Sequence, residues 1–327
     1  NKLGENTSFR QKITSEHVLN TAKNKTGFND YGPDSFINNL DVLIESTQNE
    51  SRMNFIGRTT LFNSCVQAVV DRLKIYDHIK KHPDIKNNKI VKPIFILGLP
   101  RTGTTLMQNL LGCDKNLRAL HYWEQAQISD PPKPNTLLNN QILNRVKRDV
   151  QILKWAVPNF TAAHEINPIG IEECNGLMNR EFVNILHFMF RNVPTYVEHI
   201  LNTDMSSMYQ FHKLQLPYLG YHFRGKRWML KAPAHLAFLS YLFKIYPDAI
   251  VIQMHRDPIY SVPSMCSLAT ISRSLFSTKI DVTKISDQWI NLMQKIIRDS
   301  IQKRTNLNQK HFLDIPYMQF VNNPIKM

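Results

Sequence analysis

The chain of 327 residues, 43% hydrophobic and 20% charged, is long enough for one large or two modest domains and too ordinary in composition for a disordered protein. Lys and Arg number 40 against 26 Asp and Glu, a net charge of +14 that favours anionic ligands; the basic residues are dispersed without a zinc-finger or RNP-type motif, so no nucleic-acid partner is expected. No run of about 18 apolar residues suggests a membrane span, and 4 cysteines with no CxxC pair point to a reducing, cytoplasmic setting without a metal site, a removed signal or anchor ahead of Asn1 staying open.

Residues 1–91 read as a helical region packing on the core, with Cys65, Val66, Val69, Val70, Leu73 and Tyr76 forming one apolar stripe. The pattern changes at KPIFILG, Lys92 to Gly98, a short apolar run with β-branched residues that reads as a buried parallel strand. Leu106, Met107, Leu110 and Leu111 then recur at helical spacing up to Gly112, which gives strand, loop and helix in succession. Downstream, Arg227 to Lys231 and Ala249 to His255 read as further strands, separated by a helix marked by Leu236, Leu239, Leu242, Phe243 and Tyr246. Alternating strands and helices predict an α/β fold, an open and mostly parallel sheet flanked by helices over 92–327, with ligands at the carboxyl ends of the strands. Between these units, 125–220 reads as a largely helical insertion suited to binding an acceptor, although its aromatic residues fit plain core as well.

The loop GLPRTGTT, Gly98 to Thr105, is close to a Walker A motif but carries Thr104 where that motif has lysine. A glycine-containing strand-to-helix turn presents free N–H groups and the positive end of a helix to an anion. Without the lysine, and with Arg101 inside the loop, the pattern favours a ligand with a single phosphate-like end over a nucleoside triphosphate. Pro100, Arg101, Thr102, Gly103, Thr104 and Thr105 are the candidate anion-binding residues.

PRTGTT resembles the 5′-phosphosulfate loop of sulfotransferases that use 3′-phosphoadenosine-5′-phosphosulfate (PAPS), and is most similar to the form in tyrosylprotein and bacterial-type sulfotransferases. The segment from Leu230 to Ala269 strengthens the resemblance, because Arg256 and Ser264 stand eight residues apart as the family's 3′-phosphate ligands do. Similarity extends to TGFNDYG, IGRTT, HYWE and EINPIGIEEC. It ends at Met327, before the C-terminal tail such proteins commonly have.

The resemblance implies PAPS as donor, its bisphosphate (PAP) as product, and in-line transfer to an acceptor hydroxyl on a small molecule, glycan, lipid or peptide. Such transfer needs charge stabilisation and a general base rather than a metal. Arg101 and Lys231 are the candidate catalytic cations, Lys231 because its KxP matches the lysine segment of the tyrosylprotein enzymes. Glu124 in HYWE is the candidate base, with His164 and Glu165 as the rival pair. Two other readings stay open, a P-loop kinase or NTPase using Asp257 for magnesium and a non-enzymatic anion- or nucleic-acid-binding module.

Overall fold

A computed structural model describes residues 12–128, 131–163, 165–223 and 225–325. Five parallel strands, β1 Ile94–Gly98, β2 Leu117–Arg118, β3 Arg227–Lys231, β4 Ile250–His255 and β5 Phe312–Pro316, form one sheet in the order β2-β3-β1-β4-β5. All five residues of β1 are buried between β3 and β4, as expected of an apolar run at the centre of a parallel sheet. The strands match the sequence reading except that β4 starts one residue later and β1 two residues later, after Lys92 with φ 44° whose N–H donates to Asp248. Neither edge strand is apparent from sequence, β2 being two residues long and β5 half exposed without alternation.

Ahead of the sheet lie three helices, Ser15–Thr26, Phe36–Glu50 and Phe55–Lys81. The first starts on the Thr14 hydroxyl, which accepts from His17 N–H, and stops at Gly27 with φ 71°; the third starts on Asn54, which accepts from Gly57 N–H. Their apolar faces belong to the same buried cluster as β1, β3 and β4. Two buried ion pairs fasten the long third helix to the middle of the chain, Asp71 with Arg180 at 2.8 Å and Arg72 with Glu181. Breaking one partner of such a pair costs about 3–5 kcal/mol, because a charge is left buried alone. These pairs fix one wall of the cavity described below.

The segment 125–220 is helical, including Gln141–Ala156, Pro194–Asn202 and Ser206–Leu219. Its aromatics divide, since Phe182 and Phe188 are buried core, Phe160 and Phe190 line the cavity, and Trp155 is 84% exposed. Among the described residues, no helix is long and apolar enough to cross a membrane.

Candidate functional site

At the end of β1 the chain turns sharply into the helix Thr104–Leu111. Arg101 and Gly103 have φ of 68° and 88°, a left-handed conformation that is strained at Arg101 and free at glycine. A Cβ on Gly103 would stand 2.7 Å from the Tyr317 ring, so glycine is required for space as well. The first backbone N–H groups of the helix, Thr104 and Thr105 among them, have no partner within it and face the loop. Thr102 differs from its neighbours, because its hydroxyl donates to Leu99 O at 2.7 Å and it is only 1% exposed. It staples the loop, and its side chain is not available to a ligand.

Arg101 gathers the second motif onto the first. Its Nε donates to Ser264 Oγ at 3.0 Å, and its carbonyl accepts from the Arg256 guanidinium at 2.9 Å. Ser264 lies within the helix Pro258–Phe276, and Arg256 follows β4 directly, which is how residues so distant in sequence meet. The Arg256 guanidinium stands 4.4 Å from the centre of the Tyr317 ring. Asp257 caps the helix by accepting from Ile259 N–H, and so does not pair with Arg256. The two guanidinium groups and the exposed N–H groups make one cationic cradle.

Across the loop, Lys231 ends β3 with only 2% exposure, and its Nζ donates to Glu173 Oε1 at 2.6 Å and to Thr105 Oγ1 at 3.3 Å. The segment 171–174 is tied down around it. Cys174 N–H donates to Lys231 O, Glu172 N–H to Leu120 O, and the Gln108 amide to Glu172 O. Asn175 donates to the other oxygen of Glu173. Burial, together with the adjacent Glu173 charge, holds the Glu172 carboxyl above the ordinary carboxylate range. Sequence reasoning quoted EINPIGIEEC without assigning Glu172 or Glu173 a role, since nothing local marks them as neighbours of Lys231.

The structure places Glu124, the candidate base, in a buried ion pair. That residue is 1% exposed, and Arg118 holds both carboxylate oxygens while His121 N–H donates to one of them at 2.8 Å. It caps the helix Tyr122–Ala126 and is not among the residues lining the cavity. Glu165 is exposed and likewise outside that lining, and His164 lies outside the described residues.

A cavity of about 750 Å³ opens beside the loop. Gly98 to Arg101, Gly103 to Thr105, Arg256 and Tyr317 form one end of it, and Glu172 and Glu173 lie on its wall. The remainder is mostly apolar, with Leu153, Phe160, Leu186 and Phe190 from the helical insertion. Thr60, Ser64 and Ala68 of the N-terminal region and Met265, Trp289 and Met293 further on complete it, none of which the sequence pointed to.

No ligand-type spacing of Cys and His is visible in the sequence, yet the fold brings Cys174, His212 and His235 together, with one ligand-type atom of each within 4.8 Å. His235 bridges Cys174 Sγ at 3.0 Å and Tyr209 OH at 2.8 Å, while His212 pairs with Tyr246 OH at 2.7 Å. Burial pushes His212 down to about 3 and His235 well below its usual value, so both rings are neutral supports under the Cys174–Lys231 contact.

Comparison with known proteins agrees with this geometry. The family model described as the sulfotransferase family matches residues 93–327. The sulfotransferase STF1 from Mycobacterium tuberculosis H37Rv superposes with a TM-score of 0.89 at 28% identity, over 96% of this chain and 87% of that one. For sulfotransferase STF9 from Mycobacterium avium the TM-score is 0.90 at 24% identity, over 97% and 82%, a likeness of fold. No curated protein matches by sequence. The chain belongs to the sulfotransferase family.

Proposed function

We propose that this sulfotransferase takes PAPS as donor and moves its sulfuryl group to an acceptor hydroxyl, with Glu173 as the proton acceptor and Lys231 as the catalytic cation. The observation that carries the assignment is the Lys231–Glu173 ion pair set against Thr105 of the anion loop. The residues fit such a donor. A glycine whose Cβ would strike Tyr317, N–H groups at a helix start and two guanidinium groups joined through Arg101 suit one nucleotide with two separate anionic ends.

The loop N–H groups and Thr105 would hold the phosphosulfate end, Arg256 and Ser264 the 3′-phosphate, and Pro100 and Gly103 would shape the turn between them. Tyr317, beside Arg256 and over the loop, would bound the nucleotide. The donor supplies a sulfuryl group on a phosphate leaving group. Glu173 takes the hydroxyl proton as the acceptor oxygen bonds to sulfur and the S–O bond to the phosphate breaks. Lys231 and Arg101 offset the charge that develops on the departing oxygen. Glu172 positions Glu173, since its Oε1 accepts the Glu173 N–H at 2.8 Å. A kinase reading gains nothing from Asp257, whose carboxylate is committed to the helix cap.

The test is release of PAP from PAPS in the presence of a panel of alcohols and phenols. Wild type should turn over, and Glu173→Gln should lose about 10²–10⁴-fold in kcat with the Kd for PAP unchanged. Full activity in Glu173→Gln, or its loss in Glu172→Gln alone, would overturn the assignment of the base.

A further inference from the structure

Arg191 stands in the cavity wall with only 5% of its surface exposed. Among the described residues, its buried Nε has no hydrogen-bond partner, and its only side-chain hydrogen bond is a long one of 3.4 Å to the Thr60 hydroxyl. Among the described residues, no carboxylate lies within ion-pairing distance of it. The nearest aromatic face, Phe276, is 5.7 Å away. Among the described residues, the other buried arginines have stronger partners, Arg72 with Glu181, Arg118 with Glu124, Arg180 with Asp71 and Arg273 with Phe188 O and Gln288, although Arg118 also leaves its Nε without one. Burial lowers the Arg191 pKa only to about 10, so the guanidinium remains charged near neutral pH. An isolated charge in an apolar wall costs several kcal/mol, a cost a fold sheds by substitution unless an anion arrives to pair with it.

The surroundings of Arg191 restrict what that anion belongs to. Phe190 and Phe276 neighbour Arg191 and, with Met189 and Leu275, belong to a cavity lining that is mostly apolar, its polar groups including Thr60, Ser64 and His187, so an apolar body suits it better than a polyhydroxylated sugar. Trp289, on the same cavity, also buries an unpartnered indole N–H. We infer that the acceptor is an amphiphile, an elongated apolar molecule with a hydroxyl at the Glu173 end and a carboxylate or similar single anionic group that pairs with Arg191. This rests on the sulfotransferase reading above. The step is the same, with the new O–S bond on the amphiphile's hydroxyl and its proton passed to Glu173.

The experiment is calorimetric binding to the full chain, with PAP present, of ω-hydroxydodecanoate, its neutral methyl ester and galactose. Wild type should bind the acid most tightly and galactose least. Arg191→Met should weaken binding of the acid at least about 30-fold and the ester less than about threefold, with Arg191→Lys between wild type and Arg191→Met. Ligand-free Arg191→Met should unfold at the same temperature as wild type or higher, since it removes an unpaired buried charge. Equal loss for acid and ester, no loss for the acid, or preference for galactose would overturn the inference while leaving the PAPS site intact. Failure of wild type to bind PAP would instead remove the donor assignment, and the same titrations without PAP would still decide what Arg191 recognises.

Discussion

Lys231 and Glu173, 58 residues apart, meet at 2.6 Å beside the Thr105 hydroxyl, and Glu124 meets Arg118 instead. The two glutamates are therefore predicted to fail in different ways. Glu124→Gln should lower the unfolding midpoint in urea, because it strips a partner from the buried Arg118 guanidinium, a loss of about 3–5 kcal/mol. Per folded molecule, its kcat should stay within a few-fold of wild type. Glu173→Gln also leaves the buried Lys231 ammonium without its carboxylate and so should lose stability too, but per folded molecule its kcat should fall about 10²–10⁴-fold. A stable but inactive Glu124→Gln would contradict the placement of the base.

The Arg256 guanidinium and the Ser264 hydroxyl reach the loop from opposite sides of Arg101. A hydrogen bond to a charged group is worth about 1.5–3 kcal/mol and a neutral one about 0.5–1.5. Both side chains would meet a charged phosphate, so calorimetry should find PAP affinity reduced about 10–150-fold in Arg256→Ala and likewise in Ser264→Ala. Wild-type affinity in Arg256→Ala would remove it from the cradle.

Acid should destabilise the fold through histidine. Burial lowers the pKa values of His187 and His212 from 6.5 to about 3, and that of His235 well below 6.5. The unfolded chain therefore binds more protons than the folded one below 6.5, and stability is lost as pH falls from there toward 3. Each ring contributes up to about 1.4 kcal/mol per pH unit within that window. Asp71, Glu172 and Glu181, raised by burial, act in the opposite sense, whereas His199, lowered by burial, and Asp314, lowered to about 2 chiefly by its hydrogen bond from Arg304, act with the three rings. Urea midpoints measured at successive pH values below neutrality should fall steadily, and a rise would contradict the neutral buried rings.

The strands at the centre of the sheet and the anion loop were legible because β1, β3 and β4 are apolar runs that end in loops bearing glycine, proline or charge. Local pattern suffices for such features. Arg256 and Ser264 were singled out by the family resemblance, and the structure brings both onto Arg101. Glu173 was not, because its meeting with Lys231 depends on the 171–174 segment being pinned to Leu120, to the end of β3 and to the loop helix by hydrogen bonds formed only in the fold. Glu124 is the complementary case. Its position in sequence suits a catalytic carboxylate, but Arg118, six residues earlier, claims it. Arg191 carries no sequence signal at all, since only the folded cavity shows that no carboxylate among the described residues pairs with it.

The account stands most directly on one measurement, thermal unfolding of the protein with PAP and, separately, with magnesium-ATP. At 100 times its Kd, a ligand bound only by the folded state adds about 2.7 kcal/mol, enough to raise the midpoint visibly. The account predicts a raised midpoint with PAP and little change with magnesium-ATP. Stabilisation by magnesium-ATP alone, or by neither ligand, would contradict a cradle built for the sulfuryl donor.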